Sequence, residues 1–253
     1  MGRAELPRLS ARAWAVWEQA RATFPNVVVA PSVPVLYFGN ADAYATSDLR
    51  VVSVGLNPSV AEFPSSDPFE RFPRTRRHGD RNIASYMASL NRYFETSPYR
   101  SWFGAFEPLL NGLGASYYLG ALNTALHTDL CSPVATDPTW SRLTPHQQRD
   151  LIAQGRPLWH DLVRVLKPDL LLVSVARRQL RSIEFGMIGE SREIQRLVAR
   201  RRRPYVIEAW RIQIDPDNEA LVVFGEAAQR PFGKVRDDDK YEIGRRVREV
   251  LNG

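Results

Sequence analysis

Nine consecutive residues, Val51-Val52-Ser53-Val54-Gly55-Leu56-Asn57-Pro58-Ser59, constrain this chain more than any other stretch. The β-branched run at 51–54 is long enough for a buried strand, and it ends abruptly in a Gly-x-Asn-Pro turn. Pro58 fixes φ and removes a backbone donor, so the strand cannot continue past it. Gly55 opens backbone conformations closed to other residues. The Asn57 side chain is therefore expected at the C-terminal end of a strand, where open α/β sheets bind their ligands. Asn-Pro is also an ordinary turn dipeptide, and the rest of the chain decides between the two readings.

Further apolar runs follow at 117–123, ending in Asn123, at 170–174 and at 220–225, with 206–214 as a candidate edge strand. Between them, helical periodicity appears at 83–94, 102–113 and 145–166, with shorter pieces at 176–183 and 191–201 and a closing helix at 241–251. A first helix at 10–24 carries Ala11, Trp14, Trp17 and Ala20 at helical spacing, with Ser10 as its N-cap. Alternating strands and helices predict an α/β fold: a single domain over 1–253, built on a four-stranded, mostly parallel sheet flanked by helices. Residues 1–50 form a helical extension packed on it. No internal repeat or dividing linker interrupts the chain.

Cys131 is the single cysteine, which excludes an internal disulfide and any cysteine-built zinc or iron–sulfur site within one chain. No apolar run approaches the roughly 18 residues of a membrane span, and the N-terminus lacks the apolar core of a signal peptide. A cytoplasmic, monomeric protein without membrane contact is the expectation. The net charge is +6 and almost all of the positive charge is arginine, since Lys167, Lys234 and Lys240 are the only lysines. Arginine pairs bidentately with phosphate, so nucleic acid is a natural partner, although a merely solvating surplus gives the same total. Placement adds to the first reading: Arg71, Arg74, Arg76, Arg77 and Arg81 crowd into a Pro- and Ser-rich loop soon after the Asn-Pro turn.

Four segments now fall at expected strand ends: Gly55-Leu56-Asn57-Pro58-Ser59, Leu122-Asn123-Thr124, Ser174-Val175-Ala176, and the stretch holding Gln229-Arg230-Pro231-Phe232-Gly233. This arrangement resembles the uracil-DNA glycosylase superfamily, in order and spacing, over roughly residues 51–251. The first motif is the specific one. The last departs from the family, which usually carries a histidine or asparagine followed by Pro-Ser.

The resemblance implies a monofunctional DNA glycosylase without metal or cofactor, acting on duplex DNA with an extruded pyrimidine. The glycosidic bond is unreachable inside the stack, so the base must be flipped out. Asn57 would hold the attacking water, and Gly55 and the backbone at Leu56 would support the base. Asn123 would read the base edge with one donor and one acceptor, or else serve neighbouring backbone groups. Ser59 stands where uracil-specific enzymes have a tyrosine against the pyrimidine 5-position. Serine leaves room there for a 5-substituent such as hydroxymethyl or glucosylated hydroxymethyl, or else is a turn residue. His127 and Gln229 complete the expected base-binding set. Arg74, Arg76 and Arg77 would meet phosphate, while Arg230 and Phe232 would fill the space left by the flipped base. A surface turn with Phe232 packed beneath it is the alternative.

The expected substrate is a modified or mismatched pyrimidine, in repair or in restriction of phage DNA. Uracil excision and a catalytically inactive DNA-binding module of the same fold remain as rivals. A Schiff-base lyase step is not expected, because none of the three lysines falls at a motif position.

Overall fold

The computed structural model describes residues 5–75, 82–197, 204–227, 230–233 and 235–252. Its helices are α1 (Glu5–Thr23), α2 (Ala41–Ala45), α3 (Ile83–Asn91), α4 (Arg100–Phe103), α5 (Glu107–Leu113), α6 (Pro145–Leu166) and α7 (Asp237–Asn252). Its strands are β1 (Val51–Gly55), β2 (Ala115–Ser116), β3 (Asn123–Thr124), β4 (Leu126–Asp129), β5 (Leu170–Val173), β6 (Gly186–Leu197), β7 (Tyr205–Asp215) and β8 (Asn218–Phe224).

The α/β class is as expected, but the main sheet has six strands rather than four, in the order β4-β1-β5-β8-β7-β6. Its centre is parallel: Val51 lies opposite Leu170, and Leu170 opposite Leu221. One flank is antiparallel, with β8 beside β7 and β7 beside β6. Residues 206–214 are therefore an inner strand and not an edge. The edge beyond them is β6, where a helical piece was expected at 191–201. It is largely exposed and charged, so no apolar period marks it as a strand.

The chain packs as two compact units. Unit 1 comprises Met1–Ala41, Gly55–Tyr99 and His127–Leu166; unit 2 comprises Asp42–Val54, Arg100–Leu126 and Lys167–Gly253. In unit 1, α1 buries Leu6, Leu9, Ala13, Trp17 and Ala20 along one face, and it packs against α6 and α3. Ser10 is buried within α1 instead of capping it, because the helix starts at Glu5. The 22-residue helix α6 runs through Pro157, with Leu151, Leu158, Leu162 and Val165 turned inward.

In unit 2, strands β1, β5 and β8 are short β-branched and leucine runs, mostly buried on both faces, as parallel strands require. Arg50 and Asp169 tie the entries of β1 and β5 together, with Arg50 Nη2 donating to Asp169 Oδ1 at 2.7 Å and Nε to Oδ2 at 3.1 Å. Helices α5 and α7 meet at their backbones. A β-carbon on Gly112 would stand 2.1 Å from the Tyr241 carbonyl oxygen, and one on Gly244 2.2 Å from that of Leu109.

The buried strand expected at 117–123 is absent. Gly120 takes a φ of 97°, which ends any extended run, and Leu119 and Leu122 lie exposed in the loop between β2 and β3. The buried strand comes later, as Leu126-His127-Thr128-Asp129 in β4, where three of the four residues are polar or titratable.

Candidate active site

The Asn-Pro turn leaves β1 within unit 1 and runs beside the segment that follows β4. The Gly55 carbonyl accepts from Leu130 N–H at 3.0 Å, that of Leu56 from Cys131 N–H at 2.9 Å, and that of Pro58 from Thr136 N–H at 3.4 Å. This ladder replaces the pairing that Pro58 forbids and fixes the turn on a rigid neighbour.

Asn57 is half-buried on that ladder. Its amide nitrogen donates to the Pro58 carbonyl at 2.8 Å, the Val134 carbonyl at 3.1 Å and Thr136 Oγ1 at 3.0 Å. Three acceptors around one end of a planar amide fix which end is nitrogen. Oδ1 is therefore turned the other way, and no described residue donates to it. The side chain is immobilised through its donor end while its acceptor end is left for a ligand or water.

Gly55 is required by space rather than by conformation. It is not among the glycines of positive φ. A β-carbon there would lie 2.6 Å from Asp129 Oδ1 and 3.1 Å from His127 Nε2. The end of β4 thus closes over the end of β1. His127 and Asp129 are both buried, with Nε2 and Oδ1 3.6 Å apart, too long for a hydrogen bond. The His127 ring also lies 5.6 Å from that of Phe38.

A second carboxyl belongs to the same neighbourhood. Glu62 sits in a short 3₁₀ turn after Ser59 and is buried. It accepts the Tyr93 hydroxyl, and Arg71 Nε approaches its Oε2 at 3.7 Å. Burial pushes Glu62 up to about 8; the hydrogen bond from Tyr93 and the charge of Arg71 oppose the rise, and the negative charge of Asp129 adds to it. Glu62 therefore retains its proton at neutral pH. Cys131 is likewise pushed up to about 12 by burial and by Asp129, which makes its thiol unreactive. Arg71 lies over the Tyr99 ring at 5.9 Å, and its buried Nε and Nη1 make no hydrogen bond. Sequence reasoning missed Glu62, Tyr93 and Asp129. The signal for the two carboxylates was one three residues after Ser59, between Ala61 and Phe63, and another two after His127.

The other expected residues are placed as follows. Ser59 is a turn residue: its hydroxyl accepts from Ala61 N–H at 3.1 Å and caps the 3₁₀ turn. Asn123, in unit 2, serves its own backbone surroundings, accepting from Leu49 N–H at 2.9 Å and donating to the Gly114 carbonyl at 3.2 Å. One donor and one acceptor position of the amide are thus taken by backbone, and one of each is left. Phe232 is not a wedge. Its ring is fully buried 6.0 Å from that of Phe106, and its N–H donates to Ser174 Oγ at 2.9 Å, because the chain turns inward there with a φ of 48°. Arg74 and Arg230 are exposed. Arg76, Arg77 and Gln229 lie outside the described residues. His160 Nδ1 donates to the Arg156 carbonyl at 2.8 Å within α6, and His146 is exposed 3.7 Å from Asp150, so both belong to that helix.

Among the described residues, no three histidine, cysteine, aspartate or glutamate side chains are grouped to hold a metal ion. No described helix is long and apolar enough to cross a membrane. Comparison of the chain with family models, with curated proteins and with solved structures finds no match.

Proposed function

We propose that this chain is a monofunctional DNA glycosylase that hydrolyses the N-glycosidic bond of a modified or mismatched pyrimidine flipped out of duplex DNA. The observation that supports it is the Asn57 amide, held at the end of β1 by three acceptors around its nitrogen, with no described residue donating to Oδ1. An acceptor fixed in this way can accept a hydrogen bond from one water and so aim that water's lone pair at the anomeric carbon of the sugar. The bond from that carbon to the base breaks with its electron pair moving onto the base, and the water oxygen adds to the carbon. The water's proton leaves, and the base gains one. Asn57 only orients the water, since an amide neither accepts that proton nor balances a cationic sugar. A slow enzyme is expected on those grounds.

The arginine surplus fits a polyanionic partner, and exposed Arg74 and Arg230 are free to meet phosphate. The test is release of base, read as alkali-labile abasic sites, from duplexes carrying uracil, mismatched thymine, hydroxymethylcytosine or glucosylated hydroxymethylcytosine. Abasic sites in at least one duplex support the reading. Binding without abasic sites in any duplex supports the inactive binding module instead.

A further inference from the structure

Buried polar groups nearly always have partners, and a buried carboxylate with none is costly unless something else supplies the donor. Among the described residues, no side chain or backbone N–H donates a hydrogen bond to the Asp129 carboxylate. Its side chain is 4% exposed, and its contact with His127 Nε2 is 3.6 Å long, beyond hydrogen-bond reach. It ends β4 beside the Gly55 backbone, on the same ladder of strand ends that holds Asn57. Its negative charge is felt by both Glu62 and Cys131.

We propose that Asp129 reads the extruded base, and that it selects a 4-aminopyrimidine, cytosine or a 5-substituted cytosine, over the 4-oxo bases uracil and thymine. This rests on the glycosylase reading above. A carboxylate has two acceptors and no donor. It can receive the 4-amino group of a cytosine. If the ring nitrogen beside that amino group is protonated, it can receive both hydrogens bidentately. Facing uracil or thymine, the same carboxylate can accept only the ring N3–H and meets the 4-oxo group as one acceptor against another, and that unmatched buried acceptor works against binding. An amide at this position would do the reverse, because its N–H₂ can donate to the 4-oxo group.

The experiment compares two duplexes that differ only in the pyrimidine edge, one with 5-hydroxymethylcytosine and one with 5-hydroxymethyluracil. The parental protein should release the amino base at least about tenfold faster, as sites built for a specific hydrogen bond discriminate strongly. Asp129→Asn, nearly isosteric, should shift that ratio toward the oxo base by about tenfold or more. The same comparison is then made as binding affinity in an Asn57→Ala background, with and without Asp129→Asn. Equal rates on the two duplexes by the parental protein overturn the assignment, even if Asp129→Asn fails to fold. Base release with a ratio unchanged by Asp129→Asn overturns it while leaving the glycosylase reading intact. A binding preference for the amino base that Asp129→Asn reverses, with no base released by the parental protein, supports Asp129 as the reader and defeats the glycosylase reading alone.

Discussion

Asp129 Oδ1 occupies the space that a β-carbon on Gly55 would need, 2.6 Å from where that carbon would stand. The two strand ends thereby approach more closely than a side chain at position 55 would allow. The Gly55 requirement is a contact requirement, and it has a direct consequence. Gly55→Ala should destabilise the protein by about 1–3 kcal/mol, the usual cost of overpacking a rigid site. It should also displace Asp129. Urea unfolding checks the first effect, and wild-type stability in this variant would show that the ends of β1 and β4 are not so closely apposed.

Glu62 makes stability depend on pH in an unusual direction. Its folded value of about 8 lies above the ordinary 4.5, so between those limits the folded chain binds a proton that the unfolded chain releases. The stabilisation is complete below pH 4.5 and is lost as pH rises toward 8, on the order of a few kcal/mol for a fully buried group. Glu62→Gln keeps the shape without the proton and should flatten that part of the stability–pH curve. Chemical denaturation at several pH values between 5 and 8 measures it. An identical slope in both proteins would place the proton elsewhere.

Phe232 is core, and its loss should behave as a core deletion. Phe232→Ala should cost about 3–5 kcal/mol of stability. A DNA wedge would instead lose affinity for duplex with stability unchanged. Thermal unfolding and duplex binding, measured side by side, separate the two.

How much of this was legible in the chain depends on whether burial left a periodic trace. Strands β1, β5 and β8 were readable because a parallel strand buried on both faces is a continuous apolar run. Strand β4 was not, since His127, Thr128 and Asp129 are buried polar residues, and the eye moves to the more apolar run at 117–122. That shift put the strand end at Asn123 instead of Asp129. Strand β6 hid for the opposite reason: its residues are exposed and charged, and a sheet edge leaves them no apolar alternation. The turn at Gly55-Leu56-Asn57-Pro58 was legible because proline and glycine act locally. The cluster of Glu62, Tyr93, Arg71 and Asp129 was not, because it joins segments separated by up to 67 positions, and nothing in local pattern records such contacts.

Asn57 carries the central claim, and base release by Asn57→Ala is its most direct measurement. The alanine variant loses three hydrogen bonds from a half-buried position, so its fold is first verified by circular dichroism and its duplex affinity by fluorescence anisotropy. With both retained, single-turnover release of the base that the parental protein removes should fall by at least about a hundredfold, the scale on which a positioned reactant is lost. Release at the parental rate by the folded, DNA-bound variant would contradict the account and make Asn57 a structural turn residue.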